Sequence, residues 1–220
     1  MAVPGLKSAV AGALRSKYPT TIGLSGNRAT NVASIDVAYP AGLQAGDLIL
    51  VIAGVEAGAS RTLNTPSGYA VVASTTTAAS NLRASYLFSK TATGAEGANL
   101  TLTVGGGNGN PGAIIIVLRD AGTVSASAFA TGTGTGTNPP SLTPSFGTAD
   151  ATWFALMTAQ SATLTSYPTG YDDDHTYISG GNPCVGAASK KQKIATDDPG
   201  NFTRGTSNGW HAVTVAIKGL

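Results

Sequence analysis

The sequence predicts an all-β protein, a jelly-roll-like antiparallel β-sandwich built from an internal duplication and preceded by a short N-terminal arm. Three observations lead there. Charged residues make up only 11% of the 220 residues, whereas Gly alone numbers 29 and hydrophobic residues reach 42%. Small and β-branched residues stand where Leu, Glu and Lys usually do, a mix that favours strands and turns over helices. Short apolar segments alternate with Gly- and Pro-containing turn signals, and a set of motifs recurs about 102 positions further along the chain.

Residues 1–18 form the expected arm. Val3, Leu6, Val10 and Leu14 recur at spacings of three, four and four, so a short helix here would carry one apolar stripe. A helix this short does not persist alone in water, and the stripe is expected to dock on the sandwich, a sister subunit or a shell. Lys7 and the apolar residues after it resemble a signal core, but Arg15 and Lys17 follow at once and the run is too short for one.

The sandwich is expected over 19–220. Val32, Ile35 and Val37 alternate with polar neighbours, as in a half-buried strand. Residues 48–53 are continuously apolar, the mark of a strand buried on both faces. Leu82, Ala84, Tyr86 and Phe88 alternate with Arg83, Ser85 and Ser89, and Leu100, Leu102 and Val104 alternate with Thr101 and Thr103. After a turn-rich link at 105–112 comes a second continuous apolar run at 113–118. Later strands are expected at 151–158, around 185–195 and at 210–217. The Gly-Thr repeat at 131–140 reads as a flexible surface segment.

The repeat pairs copies at about 30–120 and 123–220. Asp47 and the apolar run after it lead to Pro66-Ser67-Gly68-Tyr69, and Asp150 with its run leads to Pro168-Thr169-Gly170-Tyr171. Lys90-Thr91-Ala92-Thr93 answers Lys193-Ile194-Ala195-Thr196, and Ile116-Val117-Leu118-Arg119 answers Val215-Ala216-Ile217-Lys218. One half alone would expose an apolar sheet face, and two halves facing each other bury it. Leu50, Ile52, Ile115, Val117, Phe154, Leu156, Val213 and Val215 are expected in one core. Gly68 and Gly170, each two residues after a Pro, are expected in turns that disfavour a β-carbon.

Chemistry is sparse. The net charge is +2 with no basic stripe, and Lys190, Lys191 and Lys193 would split across two faces of a strand, so no nucleic-acid partner is expected. No run of 18 apolar residues exists, so neither a transmembrane helix nor a membrane partner is expected. Cys184 is the only cysteine, which excludes an intrachain disulfide, fits a reducing assembly compartment and reads as a buried inert thiol. Of the two histidines, His175 and His211, the second lies in the last apolar strand, where a structural role is expected, and no Gly-x-Ser-x-Gly elbow occurs. The only glutamates, Glu56 and Glu96, sit in Gly- and Ala-rich loops, and nothing nominates them as a catalytic pair. Asp172, Asp173 and Asp174 beside His175 are weak candidates for a hard cation. Adjacent residues point in different directions and the EF-hand spacing is missing, so a solvated loop tip is expected, with no metal and no cofactor. Tyr69, Tyr167, Tyr171 and Tyr177 lie near turns and offer either a sugar-binding surface or, the favoured reading for Tyr69 and Tyr171, plugs at the sandwich ends.

Gly46-Asp47-Leu48-Ile49-Leu50, Pro66-Ser67-Gly68-Tyr69 and Lys90-Thr91-Ala92 together resemble a family of structural proteins from tailed bacteriophages. The likeness covers about 30–120, and 141–220 through the repeat, where Ala149 replaces the Gly and Thr152 interrupts the apolar run. It implies a non-enzymatic virion structural protein with no catalytic residues to carry over, foremost a capsid decoration (cement) protein stabilising the phage head through β-surface and arm contacts. The alternative is a tail-tip or tail-fibre receptor- or carbohydrate-binding module. The implied partners are the major capsid protein or other virion proteins, and further copies of the chain, with a trimer on a threefold site as the expected arrangement. The implied location is the virion, assembled in the host cytoplasm.

Overall fold

A computed structural model describes residues 18–160, 162–171, 178 and 181–220. The expected arm positions Val3, Leu6, Val10 and Leu14, and the cluster Asp172, Asp173, Asp174 and His175 with Tyr177, lie outside them. Among the described residues there is no helix, and the strands pair antiparallel throughout. The all-β sandwich is therefore as expected.

The first half contributes β1 (Thr20–Arg28), β2 (Ser34–Ala38), β3 (Leu48–Glu56), β4 (Thr62–Leu63), β5 (Ala70–Thr75), β6 (Leu82–Thr91), β7 (Asn99–Gly105) and β8 (Asn110–Arg119). They form a five-stranded sheet in the order β1-β8-β3-β6-β5 and a three-stranded sheet in the order β2-β7-β4. The second half contributes β9 (Ala121–Ala126), β10 (Ala130–Gly132), β11 (Gly136–Thr137), β12 (Ala149–Ala159), β13 (Leu164–Ser166), β14 (Cys184–Ile194), β15 (Phe202–Arg204) and β16 (Trp210–Gly219). Here β10-β16-β12-β14 form the large sheet, with β9 also on β16, and β11-β15-β13 the small one. The two halves share one scheme: the closing strand sits beside the opening one and pairs with a central strand. Strands that alternate between two facing sheets in this way give a jelly roll.

The four sheets stack as layers with three cores between them. Ile35, Val37, Leu100, Leu102 and Val104 from the first small sheet pack on Ile49, Val51, Ile115 and Val117. Leu50, Ile52, Ile114 and Ile116 pack on Phe154, Leu156, Val213 and Val215, joining the two large sheets. Trp153, Ala155, Met157 and Phe202 form the third core, under the second small sheet. β3 is buried along its whole length because it lies in the middle of a sheet covered on both faces, which is why its sequence is continuously apolar.

Two expectations need correction. Ile115 and Val117 are buried, but in the first core, and Ile114 and Ile116 fill the inter-sheet core in their place. A strand apolar on both faces carries no mark of which face is which, and a one-residue change of phase moves every side chain to the other side. The Gly-Thr segment also differs from the flexible link expected. It supplies β10 and β11, and Thr137 is buried. A β-carbon on Gly132 would stand 2.5 Å from the Trp210 ring, so the glycine there makes room for a large side chain. The buried Arg204 guanidinium donates from Nε to Thr137 Oγ1 at 2.7 Å and from NH2 to the carbonyls of Asn208 and Gly134, tying β11 to β15.

Candidate functional site

Three places concentrate polar chemistry. The first is a seam at one end of the inter-sheet core. Ser85 on β6 lies opposite Gly54 of β3, and Thr158 on β12 lies opposite His211 of β16. Ser85 Oγ is 2.7 Å from His211 Nδ1 and 2.5 Å from Thr158 Oγ1, and His211 Nε2 is 2.8 Å from the Thr77 carbonyl. A carbonyl only accepts, so Nε2 carries the proton and Nδ1 accepts from Ser85, whose oxygen in turn accepts from Thr158. Gly54 makes this crossing possible, because a β-carbon there would be 3.0 Å from Thr158 Cβ and 3.3 Å from Ser85 Oγ. Burial pushes the His211 pKa down to about 4, against the opposing pull of the Thr77 carbonyl, so the ring is neutral near pH 7. The same loop is stitched again nearby: Asn81 N–H donates to Gln160 Oε1 at 3.3 Å, and Gly209 lies so close to the Ala79 backbone that no β-carbon fits.

A Ser–His pair with a neutral imidazole has the parts of a nucleophile and its base. Here Ser85, Thr158 and His211 are all 0% exposed, and Phe129 stands edge-on to the imidazole. No described cavity opens onto them. The arrangement fastens sheet to sheet, the structural role expected of His211. Cys184 is likewise buried, and burial raises its thiol to about 11, which leaves it protonated and unreactive.

The second place is the pair of Pro-x-Gly-Tyr corners. Gly68 and Gly170 have φ of 79° and 81°, as expected, and Tyr69 N–H and Tyr171 N–H each close a turn on the carbonyl of Pro66 or Pro168 at 3.1 Å. Both rings are buried, so they plug the sandwich ends. The Tyr69 hydroxyl is 2.9 Å from that of Tyr39, and Lys90 Nζ lies 5.7 Å above the Tyr69 ring and 3.2 Å from Glu96. The Tyr171 hydroxyl donates to Asp197, and Lys190 Nζ lies 4.6 Å above that ring and 2.5 Å from Asp197. Each corner is thus a Tyr–Lys–carboxylate cluster. The lysine over Tyr171 is Lys190, whereas the repeat aligned Lys193 with Lys90; Lys193 instead lies opposite Asp150 in the β12–β14 ladder. Burial works to raise the Glu96 carboxyl, but bonds from Thr93, Lys90 and Gly94 overcome it and hold the pKa down at about 2.

Open depressions of about 420 and 520 Å³ lie beside the Tyr69 and Tyr171 corners. Their walls are mostly Thr, Ser, Asn and Pro, with Tyr69 and Tyr171 recessed. Tyr167 packs edge-on against Phe202. Tyr69 and Tyr171 are too buried to offer a flat face on which a sugar stacks, whereas Tyr39 and Tyr167 are half-buried.

The third place holds two arginines. Arg61 donates to the carbonyls of Asn108 and Ser60, and Arg83 to those of Ala57 and Gly58, so both brace the loop after β3. They line a depression of about 240 Å³. Asp47 and Arg119 form a two-pronged ion pair at 2.9 Å that closes the start of β3 onto the end of β8. Among the described residues no group of three or more His, Cys, Asp or Glu side chains is placed to hold a metal. No family model, no curated protein and no solved structure matches the chain.

Proposed function

We propose that the chain is a non-enzymatic structural protein of a tailed-phage virion, and within that class a capsid decoration protein stabilising the head through its β-surface and N-terminal arm. One observation supports the non-enzymatic part most strongly. The described imidazole, His211, and its serine partner are sealed between two sheets, where no substrate reaches them, and a general base must come within hydrogen-bond reach of the proton it takes. The virion part is supported by the phage-like motifs at 46–50, 66–69 and 90–92 together with the jelly-roll strand order, which recurs in viral capsid proteins. Fold alone does not set function, so the motifs matter as much as the layers.

In this reading the two halves descend from one duplicated unit, and their shared core makes a rigid block that needs no covalent staple. The burial of Tyr69 and Tyr171 supports decoration over sugar binding at a tail tip. Partners are the major capsid protein and further copies of the chain. The test is composition and add-back. Purified particles are expected to contain the chain in fixed ratio to the major capsid protein, and heads lacking it are expected to rebind purified protein and resist heat better. Absence from particles, or a few copies that travel only with tails, would overturn the proposal.

A further inference from the structure

We infer that β5 is a self-association edge, at which two copies of this chain pair antiparallel about a two-fold axis and join their five-stranded sheets into one continuous sheet. An outer strand presents unpaired N–H and C=O groups, and proteins blunt such edges with charges, prolines, bulges, short strands or covering segments. The two large sheets have outer strands on four sides, and three are blunted. β1 is tied to β2 by Ser25 Oγ–H donating to the Ala38 carbonyl and Asn27 Nδ2–H donating to the Asp36 carbonyl. β14 meets Ile178 at Val185 and carries Lys190, Lys191 and Lys193 further along. On the fourth side, β10 is three residues long and β9 is covered by the segment whose Ser145 N–H donates to Ser125 Oγ.

β5 carries no charge and no proline, and its one bulge lies near its start. Among the described residues its backbone ladder runs to β6 alone. No charged residue occurs anywhere from Thr62 to Leu82. The bulge between Val71 and Ala73 turns Val72 toward the inter-sheet core and leaves Val71 at the surface. Val71 is 45% exposed, and the only other exposed large hydrophobic among the described residues is Leu220 near the chain end. Uncharged β-branched residues on an open edge fit another strand of the same kind. A two-fold pairing sets the strand against itself, so every register places neutral residues opposite neutral ones, and a register centred near Val71 brings its two copies together.

The inference specifies a two-fold pair where the phage resemblance suggests a trimer, and it does not rest on the virion reading. The test is sedimentation equilibrium of the full chain at about 0.1 mM, well above a micromolar Kd, beside Val71→Lys and Ser74→Lys. Both substitutions are at exposed positions, and melting curves check that each variant folds. The expected result is a dimer for the unaltered chain and a monomer for each lysine variant, with the melt kept. Hydrogen exchange at β5 is expected to be slow in the dimer and fast in the variants. A monomeric unaltered chain, a trimer, a dimer that survives both lysines, or loss of the dimer only together with loss of the cooperative melt would overturn it.

Discussion

Replacing Ser85 by Ala removes one oxygen from the seam and strands two buried partners. His211 Nδ1 loses its donor, and the Thr158 hydroxyl loses its acceptor. All three residues are 0% exposed, so water does not take over either role without opening the sheets. An orphaned buried polar group costs about 1–3 kcal/mol, which puts the total for the two at about 2–6 kcal/mol, a large share of the roughly 5–15 kcal/mol that holds a protein folded. Equilibrium urea unfolding at pH 7 reads this as a lower midpoint with an unchanged slope. A double-mutant cycle with Thr158→Val is expected to give a coupling of about 0.5–3 kcal/mol, because the two side chains share one network. A loss under about 0.5 kcal/mol, the range of an inert surface change, would show that the seam does not hold the large sheets together.

The neighbouring histidine gives a pH dependence. Its folded pKa, about 4, lies below the ordinary 6.5, so between those values the unfolded chain binds the extra proton. Stability from this group is complete above about pH 6.5 and falls as the pH drops toward 4, by about 3 kcal/mol in all; denaturation midpoints for the unaltered chain and His211→Gln check it, and a flat profile in the unaltered chain would contradict it. Leu50→Ala empties part of the inter-sheet core, where Leu50 is fully buried, and is expected to cost about 2–5 kcal/mol by the same unfolding assay. Gly170→Ala places a side chain at φ of 81° with open space around it, so a loss of about 1–2 kcal/mol from backbone strain alone is expected. Gly209→Ala meets the Ala79 backbone and is expected to yield little folded protein on expression.

The parts of the fold legible in the sequence are those whose signal is local. Period-two alternation marks β2 and β7, because each has one buried face, and the Pro-x-Gly-Tyr corners declare their own turn geometry; β6 also alternates in sequence, yet it is buried on both faces, with Ser85 and Leu87 on the side expected to meet solvent. The runs in β3 and β8 announce burial on both faces but not its direction, which is how Ile115 and Val117 go to the wrong core. β1 and β5 escape notice because their residues are mostly half-buried or exposed and carry no clean period. The Gly-Thr segment reads as a linker because linkers and short strands share that composition; Trp210 and Arg204, more than 60 positions away, decide the matter. Ser85 and His211 stand 126 positions apart. The only hint in the sequence is that each is a polar residue in a strand otherwise set for burial.

Cryo-electron microscopy of virions carrying the chain tests the functional account most directly. Density for the four-layer block, with its two large sheets packed face to face, is expected at regular positions on the outer surface of the head. Density confined to the tail, or heads whose surface is bare, would contradict it.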